Sequence, residues 1–105
     1  MDAQTQTQQG PAVEITDAPE ASRYEARIDG ELAGWADHHR SGDVVAIPHT
    51  VVLPEHGGRG VGSALVRYAL DDIRARGLRI DPVCPFVASY IERHPEHQDL
   101  LADRA

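Results

Sequence analysis

The 105-residue sequence contains no lysine and only one cysteine, Cys84. A lone cysteine excludes an intrachain disulfide and fits a reducing compartment. Aromatic residues make up 5% of the chain, too few to build the stacking platforms that bind single-stranded nucleic acids. The net charge of −7 lacks the basic footprint of a general nucleic-acid binder, so no nucleic-acid partner is expected. No stretch approaches the roughly 18 apolar residues of a membrane span. The opening "MDAQTQTQQG" has neither the basic nor the apolar region of a secretory signal. A cytoplasmic location without a membrane partner is the expectation. Histidines are plentiful, but His38 and His39 would point to opposite faces of a strand. His94 and His97 straddle Pro95, and no cysteine or carboxylate set completes a site with either pair. No metal is expected.

What charge there is has an uneven distribution. Between Pro54 and Ile80 stand Arg59, Arg67, Arg74, Arg76 and Arg79 against Glu55, Asp71 and Asp72. This is the one basic region of an acidic chain, and it contains the most glycine-rich stretch, "EHGGRGVGSAL" (55–65).

Residues 1–12, rich in Gln and Thr, read as a disordered tail, and 13–105 as one domain. Residues 12–15 form a candidate strand. In "SRYEARIDGELAGWAD", Tyr24, Ala26 and Ile28 alternate with charged residues, and Asp29-Gly30 is a favoured type I′ turn. A two-residue turn pairs Ile28 with Glu31, and then Ala26 with Ala33 and Tyr24 with Trp35 as hairpin core. "HHRSGD" makes the next turn. The run "DVVAIPHTVVL" (43–53) is β-rich, and Pro48 requires it to be bulged or at an edge there. Val61, Leu65, Tyr68, Ala69 and Ile73 fall on one helical stripe that ends at Gly77 as C′ residue. Residues 78–83 form a short strand. Pro85 opens a second helix at N1, with Phe86, Val87, Tyr90, Ile91 and His94 at helical spacing; the closing "HPEHQDLLADRA" has room for one more short turn. The order β-β-β-β-α-β-α describes an α+β domain with a mixed, mostly antiparallel sheet and a bulged fourth strand.

Two familiar phosphate loops can be tested against the glycines. Gly57 and Gly62 have Walker spacing, but Ser63 follows without the lysine. Gly58 and Gly60 fit a dinucleotide fingerprint, but Ser63 fills its third glycine position. Both fail. The stretch still leaves a strand and opens a helix, where unpaired amides and the helix dipole favour an anion. A phosphate cradle and a plain glycine-rich turn both remain open on these residues alone.

Strand, "PEHGGRGVGSALVRYAL", helix and short strand together resemble the acetyl-CoA-binding core of the GNAT superfamily of N-acetyltransferases, whose loop reads Arg/Gln-x-x-Gly-x-Gly/Ala. "HTVVLPE", "PVCPFV" and "IERHPEHQDLL" extend the likeness to a short single-domain GNAT-like subfamily, from Val13 to Leu101. The first loop position is Gly57 in place of arginine or glutamine, with Arg59 as the nearest cation. The resemblance implies coenzyme A or acetyl-CoA as ligand. Its pyrophosphate would lie on the amides of Gly58, Arg59, Gly60, Val61 and Gly62, with Ser63 close behind. Its pantetheine arm would add to the backbone of Val51, Val52 and Leu53, where the fourth and fifth strands splay.

Acetyl transfer to an amine needs proton removal from the ammonium, a polarised thioester carbonyl and protonation of the leaving thiolate. The amide of Val52 or Leu53 suits the second task; His49, Glu55 or a water they hold suits the first. Cys84, at the N-cap of the last helix, is either a transient acetyl acceptor with a lowered pKa or a small buried residue beneath the ligand. Tyr90 is a candidate general acid, although the family's tyrosine position aligns with Ile91. The expected activity is acetyl-CoA-dependent N-acetyltransfer to a small-molecule or peptide amine. The alternative is a non-catalytic acyl-CoA-binding or protein-interaction module. An unfinished sheet edge also makes a homodimer an expectation.

Overall fold

A computed structural model describes residues 13–102; the expected tail at 1–12 lies outside the described residues. The strands are β1 (Val13–Ala18), β2 (Arg23–Ile28), β3 (Glu31–Asp37), β4 (His39–Ser41), β5 (Val44–Ala46), β6 (Thr50–Val52) and β7 (Arg79–Asp81). The helices are α1 (Val61–Ala75) and α2 (Pro85–Arg93), with 3-10 turns at Pro19–Ala21, Pro54–His56 and Pro95–Leu100. They make two sheets, ordered β1-β2-β3-β6 and β4-β5-β7. All pairings are antiparallel except β5 with β7.

The hairpin turn holds Asp29 at φ 53° and Gly30 at φ 79°, both left-handed as a type I′ turn requires. Ile28 pairs with Glu31, but the register shifts so that Ala26 faces Gly34 and Tyr24 faces Ala36. Ala33 is the extra residue of a bulge. This corrects the expected pairing of Tyr24 with Trp35, because one inserted residue moves every later side chain to the other face. Tyr24 therefore stays buried, donating to Asp72 Oδ2 at 3.0 Å. Trp35 takes the outer face, with the Arg23 guanidinium 4.6 Å from its ring centroid. The next turn is also tighter than expected. His39–Ser41 is a strand, and Gly42 with φ 63° turns it into β5.

The bulge expected at Pro48 takes the form of a change of partner. Ile47 is fully buried and belongs to the β7 side: its amide donates to Asp81 O (3.2 Å), and its carbonyl accepts from Cys84 N–H (2.9 Å). Two residues later the His49 carbonyl accepts from Asp37 N–H on β3 (3.0 Å). Pro48 sits at the switch, where the chain has no use for an amide donor. The residues read as one strand thus run from one sheet into the other.

α1 packs across β1, β2, β3 and β6 through Val61, Leu65, Val66, Ala69, Leu70 and Ile73. Tyr68 is not on this stripe: it is 38% exposed, its ring edge-on to Tyr24. At the end of α1, Leu78 N–H donates to Ile73 O and Gly77 N–H to Arg74 O, each at 3.0 Å. With Gly77 at φ 69°, this is a Schellman ending, and its apolar partners Ile73 and Leu78 are both buried. The final strand is shorter than the expected 78–83. Its outer edge is occupied by Leu101, bridged to Ile80, and by Ala102, whose amide donates to Ile80 O at 2.9 Å.

Gly34 fixes how closely these parts approach. A Cβ there would collide with the Val51 carbonyl oxygen and press on Val61 Cγ1 at 3.2 Å and Val52 Cα at 3.3 Å. The obstacle is backbone, so it cannot rotate aside. Gly34→Ala is therefore expected to lower stability by about 3 kcal/mol, read as a shift of the urea midpoint at unchanged slope. A shift equivalent to less than about 0.5 kcal/mol would show that β3 and β6 have slack.

Candidate functional site

The change of partner leaves a gap. β6 pairs with β3, and the segment from β7 to Cys84 pairs with β5 and Ile47; no pairing joins β6 to that segment among the described residues. On β6 the hydrogen bonds alternate. Leu53 N–H donates to Ala33 O (2.8 Å), and His49 O accepts from Asp37, so residues 49, 51 and 53 face β3. The N–H and C=O of Thr50 and Val52 then point to the open edge. Leu53 N–H is committed, which removes it as a carbonyl-polarising donor. Val52 N–H remains.

Beyond β6 the Pro54–His56 turn leads into the glycines. Gly57 has φ −62°, which any residue adopts, and a Cβ there would make only ordinary contact, 3.4 Å from Pro54 O. Gly58 (φ 81°) and Gly60 (φ 75°) are left-handed, where side chains are disfavoured. Gly60 is the N-cap of α1, and no side chain caps that end. The first intrahelical bond is Ala64 N–H to Gly60 O at 3.0 Å. The amides of Val61, Gly62 and Ser63 consequently have no intrahelical acceptor. They open into a cavity of about 480 Å³ lined by Thr50, Val52, Phe86 and the loop from Gly57 to Ser63, Arg59 excepted. Free amides, left-handed glycines and an open strand edge fit a ligand with an anionic end and an amide-bearing arm. A cavity of about 440 Å³ on another face of α2, lined by Pro82, Pro85, Ala88 and Leu101 among others, has no comparable set of donors.

Cys84 occupies the N-cap of α2 with Pro85 at N1, as the sequence implies. It is 7% exposed and lies in the connection after β7, its amide held by Ile47. Burial pushes the Cys84 thiol up. The Val87 amide, the Thr50 hydroxyl and the amides of Phe86 and Thr50 outweigh burial and leave its pKa below the ordinary value. The Thr50 Oγ1 atom is itself buried and without a partner. The neutral thiol makes no capping bond; a thiolate would give these donors an acceptor.

The other sequence candidates scatter. His49 is exposed on the segment joining β5 to β6, and Glu55 is exposed in the turn that follows β6. Tyr90 is buried and stacked on His94, with ring centroids 4.0 Å apart and planes at 17°. It lines a second cavity with Arg67, Asp71 and His94, not the groove of Thr50 and Val52, so the geometry does not support it as general acid. Of the expected ligand-binding residues, Val52, Gly58, Gly60, Val61, Gly62 and Ser63 line the groove. Val51 and Leu53 face β3. Thr50 and Phe86 were not expected. Period-two alternation with Val52 would have found Thr50. Phe86 is 39% exposed, and its ring atoms lie 3.1 and 3.2 Å from where a Gly62 Cβ would stand. His56, just before the glycines, is 5% exposed with neither ring nitrogen hydrogen-bonded. Its Nε2 stands 3.6 Å from Glu31 Oε1.

Comparisons with known proteins agree on the family and the fold. Residues 23–100 match the family model of the GCN5-related N-acetyl-transferases. The fold is similar to the NMR structure of a GCN5-like protein from Staphylococcus aureus, with TM-score 0.67 and 22% identity over 88% of this chain and 90% of that one. It is also similar to the PaiA N-acetyltransferase of Thermoplasma acidophilum solved with coenzyme A, with TM-score 0.52 and 14% identity over 70% of this chain and 48% of that one. The N-acetylglutamate synthase of Neisseria gonorrhoeae, solved with coenzyme A and N-acetyl-glutamate, has TM-score 0.51 and 21% identity over 73% of this chain and 20% of that one. Comparison with the curated proteins gave no match. With most of its length inside the family model, and with an open strand edge leading to an uncapped glycine-rich helix start, the chain belongs to the GCN5-related N-acetyltransferases, enzymes whose cosubstrate is acetyl-CoA.

Proposed function

We propose that this chain carries the acetyl group of acetyl-CoA to an amine, with the groove between β6 and Cys84 as its cosubstrate site. The uncapped amides of Val61, Gly62 and Ser63 carry the reading. They form a preorganised anion site at the end of an open strand edge, and the pyrophosphate of CoA is the anion that also brings an extended arm. The arm continues along Thr50 and Val52, placing the thioester carbonyl within reach of Val52 N–H. That donor stabilises the oxyanion that develops as the amine attacks. His49 and Glu55, exposed on the segments that flank β6, are the groups that would take the ammonium proton directly or through water.

The lowered pKa of the Cys84 thiol, with the sulfur at the N-cap of α2 beside Thr50, supports a covalent variant of the same transfer. Its sulfur attacks the acetyl carbon, the carbon–sulfur bond to CoA breaks, and the CoA thiolate takes up a proton. An amine then displaces the acetyl group from Cys84 and restores the thiol. The acceptor class is an amine of a small molecule or of a peptide, for which the acidity of the chain is suitable.

Three results would test this reading. Gly57→Arg fits the backbone without strain and adds the side chain that the loop lacks. It is expected to tighten CoA binding about five- to tenfold by calorimetry; unchanged affinity would place the pyrophosphate elsewhere. Because the Cys84 pKa is lowered, iodoacetamide labelling should reach half its maximal rate below the ordinary cysteine value of about 8.5. Labelling that rises only above that pH would remove the thiolate. Intact mass after incubation with acetyl-CoA should show one added acetyl group, absent in Cys84→Ala. If Cys84→Ala still releases CoA thiol with amines at the full rate, transfer is direct and the covalent variant fails.

A further inference from the structure

The second cavity lies further along the two helices that border the groove. Gly62 packs against Phe86 where α1 and α2 begin. About 6 to 8 Å further along each helix, Arg67 and Tyr90 line the second cavity, of about 410 Å³, and Asp71 and His94 follow them. About two turns beyond Arg67 on α1, Arg74 donates to both Asp99 carboxylate oxygens (2.9 and 2.8 Å) and to Glu96 O (2.9 Å). The second cavity is thus bordered by α1, α2 and the Pro95–Leu100 turn.

Arg67 stands out in it. Among the described residues Arg23, Arg27, Arg40, Arg74, Arg76, Arg79 and Arg93 each hydrogen-bond a protein group. Arg67 and Arg59 form no such bond there and no ion pair. One lies in the glycine loop, the other a turn beyond Ser63 on the same flank of α1. Lining the same cavity, the half-buried ring of His94 stacks on buried Tyr90. His94 Nδ1 is held by the Tyr90 carbonyl at 2.8 Å, which fixes the ring in place. Asp71 and Glu96 also line the cavity and repel a phosphate from its far reach, which leaves the Arg67 end.

We propose that this second cavity holds the nucleotide end of CoA, with Arg67 binding the ribose 3′-phosphate and the His94 ring, backed by Tyr90, flanking the purine. The proposal rests on the pyrophosphate lying at Val61–Ser63. A ribose carrying phosphates on its 5′ and 3′ carbons then reaches one turn along α1 to the next uncommitted cation. Arg67 is in this account a specificity-determining residue, selecting phosphorylated CoA over its dephosphorylated form.

Calorimetry with CoA and 3′-dephospho-CoA on the full chain and on Arg67→Gln and Arg67→Lys tests it. The unaltered protein is expected to bind CoA about tenfold more tightly than dephospho-CoA. Arg67→Gln should weaken CoA alone, so that the two ligands become equal, and Arg67→Lys should retain part of the preference. Equal binding of both ligands by the unaltered protein, or equal weakening of both by Arg67→Gln, would overturn the Arg67 assignment while leaving the cosubstrate site intact. Failure of the unaltered protein to bind either ligand would overturn the cosubstrate site as well.

Discussion

The site depends on a change of hydrogen-bond allegiance over three residues. Ile47 belongs to β7 and its continuation, His49 belongs to β3, and Pro48 between them has no amide to leave unsatisfied. An uninterrupted strand would have zipped the two sheets together and buried its own edge. The switch instead leaves the N–H and C=O of Thr50 and Val52 unpaired along the half-buried edge of β6, where water or a ligand must pair them. An extended ligand with alternating donors and acceptors would do so without disturbing the fold, because β6 is already paired with β3 on its other side.

The second requirement is close approach. Gly34 lets the Val51 carbonyl and Val61 come against β3, so the start of α1 is pinned to the end of β6. That places the uncapped amides of Val61, Gly62 and Ser63 at the mouth of the gap. Most helices of this length recruit a serine, threonine or aspartate to satisfy their first turn; here Gly60 occupies the N-cap and contributes none. The local stability forgone is modest, and the donors stay available to an anion. The Cys84 end repeats the logic at smaller scale, with amide and hydroxyl donors arranged around a sulfur whose pKa they lower.

Much of this was legible in the sequence, for local reasons. Asp29-Gly30 set a hairpin, Gly77 ended α1 and Pro85 opened α2, since each residue type answers a backbone demand that only its neighbours define. The glycine loop was recognisable as a strand-to-helix passage for the same reason. What escaped was set by distant contacts. Alternation paired Tyr24 with Trp35, but the bulge at Ala33 reversed their faces. Helical spacing placed Tyr68 in the core, where the edge of the stripe leaves it half out. Tyr90 has the right helix for a general acid and the wrong flank. Thr50 and Phe86 join the groove through the meeting of β6, α1 and α2, which no single segment encodes.

The central claim is that the gap between β6 and Cys84 and the uncapped start of α1 form one continuous acetyl-CoA site. Titration of isotopically labelled protein with CoA, followed by amide chemical shifts, tests it most directly. The account predicts that the largest changes fall together at Thr50, Val52, Gly58, the run Gly60–Ser63, Cys84 and Phe86, and saturate with a single affinity. Saturable shifts confined to the other face of α2, around Ala88, Glu92 and Leu101, with the loop amides unmoved, would contradict it.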